Sequence, residues 1–159
     1  MNREKQQRPG WTEYFLDIAK AVGRRATCLR RRYGAIIVKD KIIISTGYNG
    51  APRGEANCID TGICERERLH VPKGQNYELC VAVHAEQNAI IQAATLAQSI
   101  EGATIDVTNQ PCSICAKMII NAGIERIVVE DGYPDKMAQD MLREAGLAIE
   151  MLTDEDGAK

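Results

Sequence analysis

His84-Ala85-Glu86 and Pro111-Cys112-Ser113-Ile114-Cys115 place an imidazole, a carboxylate and two thiols in two short segments. Zinc takes nitrogen and sulfur ligands in a tetrahedron, and a catalytic site keeps the fourth position for water. His84, Cys112 and Cys115 fill three such positions. Zinc acidifies its bound water toward neutral pH. Glu86 is not needed as a ligand, so it is suited to move protons to and from that water as a general acid/base.

Other readings use some of the same residues. A C-x-x-C pair by itself suits thiol–disulfide exchange. A structural zinc site uses the same ligand types, but normally closes with a fourth Cys or His. The upstream His-x-Glu and the Pro before Cys112 favour the catalytic reading. A protein that only binds zinc or nucleotide for assembly is the rival from a different class, and it has no use for Glu86.

The whole chain narrows the setting. Its 159 residues suit one domain, over 1–152, followed by a polar tail at 153–159. The net charge of -2 gives no overall basic field, so no nucleic-acid partner is expected. Arg24-Arg25 and Arg30-Arg31-Arg32 form a local basic run, expected at the solvated end of the first helix. No apolar run approaches a membrane span. Met1 to Arg8 lacks the apolar stretch of a signal peptide, so a cytoplasmic location is expected. Six cysteines beside a zinc motif then read as metal ligands, not disulfides.

The elements that must position these groups follow from periodicity. Thr12 is the expected N-cap of a helix with Phe15, Ile18, Ala19 and Val22 on its apolar face, running to about Leu29. Residues 35–38 and 42–45 read as a hairpin around Asp40-Lys41. Residues 49–78 lack periodicity, and a segment that long must be functional or internally stapled. Helices are expected over 84–97, 113–122 and 134–145, with strands at 104–108, 127–129 and 147–152. The expected fold is α/β, a five-stranded mixed sheet with helices on both faces. Its strand–helix–strand crossovers make the later strands parallel. The two metal-bearing helices start side by side, with their positive ends toward the thiolates.

The H-x-E and P-C-x-x-C pair matches the signature of zinc nucleobase deaminases. Together with Gly47-Tyr48-Asn49-Gly50-Ala51-Pro52-Arg53-Gly54 and Val83-His84-Ala85-Glu86-Gln87-Asn88-Ala89-Ile90, it makes the chain resemble the deoxycytidylate (dCMP) deaminase family. The resemblance runs from about Trp11 to Leu152. The zinc motif alone is shared with tRNA adenosine, guanine and riboflavin-pathway deaminases; the G-Y-N-G-x-P-x-G segment points to the deoxycytidylate branch.

The resemblance implies a three-layer cytidine-deaminase-like fold and conversion of dCMP to dUMP with release of ammonia, supplying dUMP for thymidylate synthesis. The same chemistry on another cytidine-type nucleotide or base is the alternative. It implies substrate-binding roles for Asn49, Arg53 and Ala85. On the residues alone, Asn49 offers a donor and an acceptor, and Arg53 suits a phosphate, though the segment also reads as an ordinary turn after a strand. A homohexamer is implied, with dCTP and dTTP as effectors and Mg²⁺ accompanying the nucleotide effector. Some members carry a second, structural zinc. The positions of Cys28 and Cys58 match its ligands, Cys64 and Cys80 would complete a set of four thiolates, and His70 is a reserve ligand.

The chain also departs from the family pattern. The strand before P-C-x-x-C commonly reads T-x-Y-V-T, where this chain has Thr104-Ile105-Asp106-Val107-Thr108. Val81 and Val129 stand where Arg and Tyr are common. A carboxylate in a central strand must have a partner, lie at a wet interface or titrate upward; pairing or hydration at a subunit contact is expected here. Positions 106 and 129 are expected on adjacent strands, sharing one environment.

Overall fold

The computed structural model describes residues 8–132 and 134–152. The expected polar tail and the first seven residues lie outside them. Strands β1 (Gly34–Lys39) and β2 (Ile42–Tyr48) form an antiparallel hairpin. Its turn residues Asp40 and Lys41 both take positive φ, 52° and 63°, the backbone whose twist matches a two-residue hairpin. Strand β3 (Thr104–Val107) lies antiparallel to β1, and β4 (Arg126–Val129) and β5 (Ile149–Met151) follow in parallel. The order across the sheet is β2-β1-β3-β4-β5.

Alternation along the strands divides the apolar side chains between two faces. On one face Ile36 and Val38 pack against Phe15 and Ala19 of helix α1 (Trp11–Gly23). On the other, Ala35, Ile37, Ile105, Val107, Ile127 and Val129 meet a three-helix layer. That layer is α4 (Ala85–Thr95), α5 (Ser113–Asn121) and α6 (Lys136–Glu144). The five-stranded mixed sheet with helices on both faces is therefore the fold read from the sequence.

Two glycines set how closely helices approach the sheet. A Cβ on Gly34 would meet the Ala19 carbonyl oxygen at 1.9 Å, and one on Gly47 would meet that of Ala85 at 2.1 Å. Helix α4 is also fastened to edge strand β2: Asn88 Nδ2 donates to the Tyr48 carbonyl at 2.7 Å, and the Thr46 N–H donates to Gln92 Oε1 at 2.7 Å. These amides satisfy backbone groups that an edge strand leaves unpaired.

Three expectations change. Helix α1 ends at Gly23, not near Leu29, because the N–H groups of Arg25 and Ala26 turn back to the carbonyls of Val22 and Gly23 in tight i−3 bonds. The basic residues thus follow the helix instead of riding on its end. The long segment after Asn49 carries short helices α2 (Cys58–Thr61) and α3 (Glu65–Arg68) and a 3-10 turn at Tyr77–Leu79. It is closed at its mouth by a two-bond bridge between Gly50 and Val83, N···O 3.2 and 2.8 Å. Finally, Asp106 lies opposite Val128, while Val107 lies opposite Val129. Residues 106 and 129 therefore point to opposite faces of the sheet, and the shared environment expected for them does not form.

Candidate active site

His84 is the N-cap of α4 and Cys112 the N-cap of α5, so both helices begin at the same place. Each start is fixed locally. Gln87 Oε1 accepts the His84 N–H at 2.8 Å. Asp135 accepts the Ser113 N–H at 2.9 Å through one oxygen and the Ala138 N–H at 3.1 Å through the other, tying the starts of α5 and α6 together. Cys115 follows one turn into α5.

The three ligand atoms converge. His84 Nδ1 stands 3.5 Å from Cys112 Sγ and 3.3 Å from Cys115 Sγ. Tetrahedral zinc with ordinary Zn–N and Zn–S bonds separates such atoms by about 3.5 Å, so the donor set fits zinc without rearrangement. It is the one three-ligand group of this kind among the described residues. A hydrogen bond from Cys115, reinforced by His84 against the opposing effect of burial, holds the Cys112 thiol down at about 4. The same bond to Cys112, with burial, pushes Cys115 up. Burial works to lower His84, but hydrogen bonding to Cys112 and the negative charges of Glu86 and Cys112 leave it raised.

Glu86 sits in the first turn of α4, 6% exposed. Burial lifts its carboxyl to about 7, with His84 working the other way. That value lets one group both accept and donate a proton near neutral pH.

His84, Glu86 and Cys112 share a cavity of about 540 Å³ with Tyr33, Asn49 and Tyr77. Asn49 is buried, and its amide is engaged with backbone: Oδ1 accepts the Tyr33 N–H at 2.7 Å and Nδ2 donates to the Arg31 carbonyl at 2.9 Å. Arg53 is exposed and Ala85 is packed in the core; neither is on the cavity wall. The cations on that wall are Arg30, Arg31, Arg66 and Lys73. Arg66 is held by the carbonyls of Pro72 and Gln75, at 3.1 and 2.7 Å, and lies 5.1 Å over the Tyr77 ring. Tyr77 in turn stands edge-on to His84. Sequence reasoning missed Tyr33, Arg66, Tyr77 and Asp135. Only Asp135 left a signal, as an N-cap type ahead of a helical stretch.

Cys28, Cys64 and Cys80 also line this cavity, and burial raises the Cys58 thiol with help from the charges of those three. The four are not gathered to ligand spacing, and His70 is an exposed loop residue with positive φ.

The family model for the cytidine and deoxycytidylate deaminase zinc-binding region matches residues 9–131. The chain belongs to this family, within its dCMP deaminase group. It is 46% identical over 127 residues to deoxycytidylate deaminase of Mycobacterium phage D29, covering 76% of this chain and 94% of the relative. It is 33% identical over 153 residues to the deoxycytidylate deaminase of Saccharomyces cerevisiae, covering 93% of this chain but 48% of that longer protein. The crystal structure of dCMP deaminase from cyanophage S-TIM5 with dCMP and dUMP superimposes with a TM-score of 0.72 at 26% identity, over 95% of this chain and all of that one. Zinc-dependent deamination of the cytidine or deoxycytidylate type is thus the chemistry of this chain, and His84, Cys112 and Cys115 form a group able to hold its zinc. Among the described residues no helix of this deaminase is long and apolar enough to cross a membrane.

Proposed function

We propose that this enzyme hydrolytically deaminates dCMP to dUMP and releases ammonia. The observation that carries the reading is Glu86, buried beside the ligand triad on the wall of a cavity with cations at its rim. The phage relative at 46% identity supports the choice of nucleotide.

A zinc ion held by His84, Cys112 and Cys115 would supply an acidified water. Glu86 takes a proton from the attacking water, gives one to the ring nitrogen beside C4, and delivers another to the departing amine. Asn49 fixes the backbone of Arg31 and Tyr33; one amide proton and one lone pair remain for a sugar hydroxyl. Arg30, Arg31 and Lys73, in place of Arg53, provide charge for a 5′-phosphate.

The remaining parts of the reading rest on family membership. They are a cytoplasmic homohexamer, dCTP and dTTP as effectors with Mg²⁺, and a second zinc on Cys28, Cys58, Cys64 and Cys80. The last of these requires the four thiols to close to ligand spacing around the ion. Zinc analysis of carefully purified protein then gives two ions per chain, falling to one in Cys58→Ser; one ion in both proteins would refute it.

The deciding experiment is a substrate panel of dCMP, CMP, deoxycytidine and dCTP, followed by ammonia release. The expected result is the highest kcat/KM with dCMP and a large loss with deoxycytidine. Equal turnover of deoxycytidine would remove the phosphate from the reading. Turnover of none would leave the substrate elsewhere in the family.

A further inference from the structure

The sheet face turned away from the zinc ligands holds a second cavity, of about 180 Å³. It opens between the start of α1, the β1–β2 turn, and strands β3 and β4. Trp11 and Phe15 form an aromatic wall, their rings 5.5 Å apart and nearly parallel. Asp40, Lys41, Arg126 and Asp106 are the charged residues of the cavity lining.

Asp106 is the unusual member. It is 1% exposed, and its buried Oδ2 has no hydrogen-bond partner. Among the other charges, Arg126 Nε donates to Glu150 Oε2 at 2.9 Å, Lys41 Nζ lies 5.0 Å over the Trp11 ring, and Asp40 balances Lys41 in formal charge. Ionised Asp106 therefore leaves the group with one surplus negative charge. A buried acceptor without a donor forfeits the hydrogen bonds it had in water. A ligand that brings the donor recovers part of that loss.

The walls narrow the ligand. The volume equals that of about six waters, too small for a nucleotide. Hard metal ions want a cage of several oxygens, whereas these walls carry two carboxylates, Asp40 and Asp106. A planar donor cation satisfies a carboxylate with two N–H groups and stacks on aromatic faces. We propose that this cavity is a second ligand site that takes a guanidinium- or amidinium-type cation, with Asp106 as acceptor and Trp11 and Phe15 as the stacking wall. A free small molecule and the arginine of a second copy of the chain carry the same group.

Burial lifts Asp106 to about 7, with Arg126 lowering it and Glu150 raising it. Helix α1 adds only Trp11, Thr12 and Phe15 to the wall, none of which titrates in this range. Binding therefore strengthens as Asp106 ionises, by about tenfold between pH 6 and 8.

Trp11 is the chain's single tryptophan, so its fluorescence reports on this wall alone. Methylguanidinium is titrated into the full-length enzyme at fixed ionic strength, with tetramethylammonium as the control. The expected result is a saturable Trp11 signal for methylguanidinium only, about tenfold tighter at pH 8 than at pH 6, and absent in Asp106→Asn. Sedimentation mass separates the sources: it is unchanged if the ligand is free, and falls with methylguanidinium if a second copy's arginine occupies the site. No saturable signal, an equal response to tetramethylammonium, or an unaltered response in Asp106→Asn overturns the proposal. Should that variant not fold, the wild-type pH series decides, and a pH-independent affinity overturns it.

Discussion

Tyr77 stands edge-on to the imidazole of His84, with ring centroids 5.6 Å apart and planes at 82°. The segment between Gly50 and Val83 thus reaches back to a metal ligand, and Arg66 braces Tyr77 from behind. Groups that orient a ligand without touching the metal tune its affinity. Tyr77→Phe keeps the ring and should retain zinc and turnover. Tyr77→Ala should lose zinc to a chelator about tenfold more readily. Equal zinc retention in Tyr77→Ala would show that His84 is oriented by α4 alone.

Glu86→Gln preserves size but cannot carry protons. Turnover should fall by at least about 10²–10⁴-fold, while zinc content, measured by atomic absorption, stays at the wild-type level because Glu86 is not a ligand. Glu86→Ala should behave likewise. Loss of zinc in both variants would make Glu86 part of the metal's coordination.

Gly47 fixes the distance between β2 and the start of α4. A Cβ there lies 2.1 Å from the Ala85 oxygen and 2.4 Å from the Ala89 nitrogen, so Gly47→Ala must push the helix that carries His84 and Glu86. Overpacking of this kind costs about 1–3 kcal/mol, and turnover should fall further than stability does. Gly146 is the contrast: its φ is 78° and nothing lies within 4 Å of an added Cβ. Gly146→Ala should therefore lower the urea midpoint and leave kcat alone. Equal kcat in the two variants would show that α4 tolerates the shift.

The grouping of His84, Glu86, Cys112 and Cys115 was legible because His84 and Cys112 are helix N-caps and Glu86 and Cys115 fall in the turns that follow. Local spacing settles their relative positions once two helices start together. The strands, the β1–β2 hairpin and the parallel run of later strands were legible for a similar reason: alternation and crossovers are local rules. The antiparallel seat of β3 beside β1 was not, because it joins segments far apart in the chain. The cavity wall was not. Arg66 reaches Tyr77 only because the turn at Pro72 and Gln75 folds back on it, and no periodicity records that contact. Arg53 shows the converse: a motif names a residue type without saying where its side chain goes, and this one lies exposed and off the cavity wall. Asn49 reaches the wall, but its hold on the backbone of Arg31 and Tyr33 is a contact that no periodicity records. The end of α1 was misplaced because bonds from Arg25 and Ala26 close the helix before its helix-favouring basic run is used.

Asp106 gives a prediction whose sign is fixed by its surroundings. Burial raises its carboxyl from 3.8 to about 7 in the folded protein. Between those values the native state holds a proton that the unfolded chain has released. Stability must therefore fall as pH rises through this window, and level off above the folded-state value. At about 1.4 kcal/mol per pKa unit, the loss reaches at most about 4 kcal/mol. Asn at this position does not titrate, so the difference between wild-type and Asp106→Asn removes the contributions of other groups. Urea unfolding at intervals from pH 4 to 8, without added guanidinium-type cations, should show the wild type losing ground to the variant across that range. A flat difference would mean that Asp106 is hydrated and titrates normally. A difference that grows in favour of the wild type with pH would mean that the carboxylate is ion-paired in the native protein, the arrangement its place in a central strand first suggests. The structure instead places it in the lining of a cavity with Oδ2 unpartnered, and the falling difference is the outcome that follows.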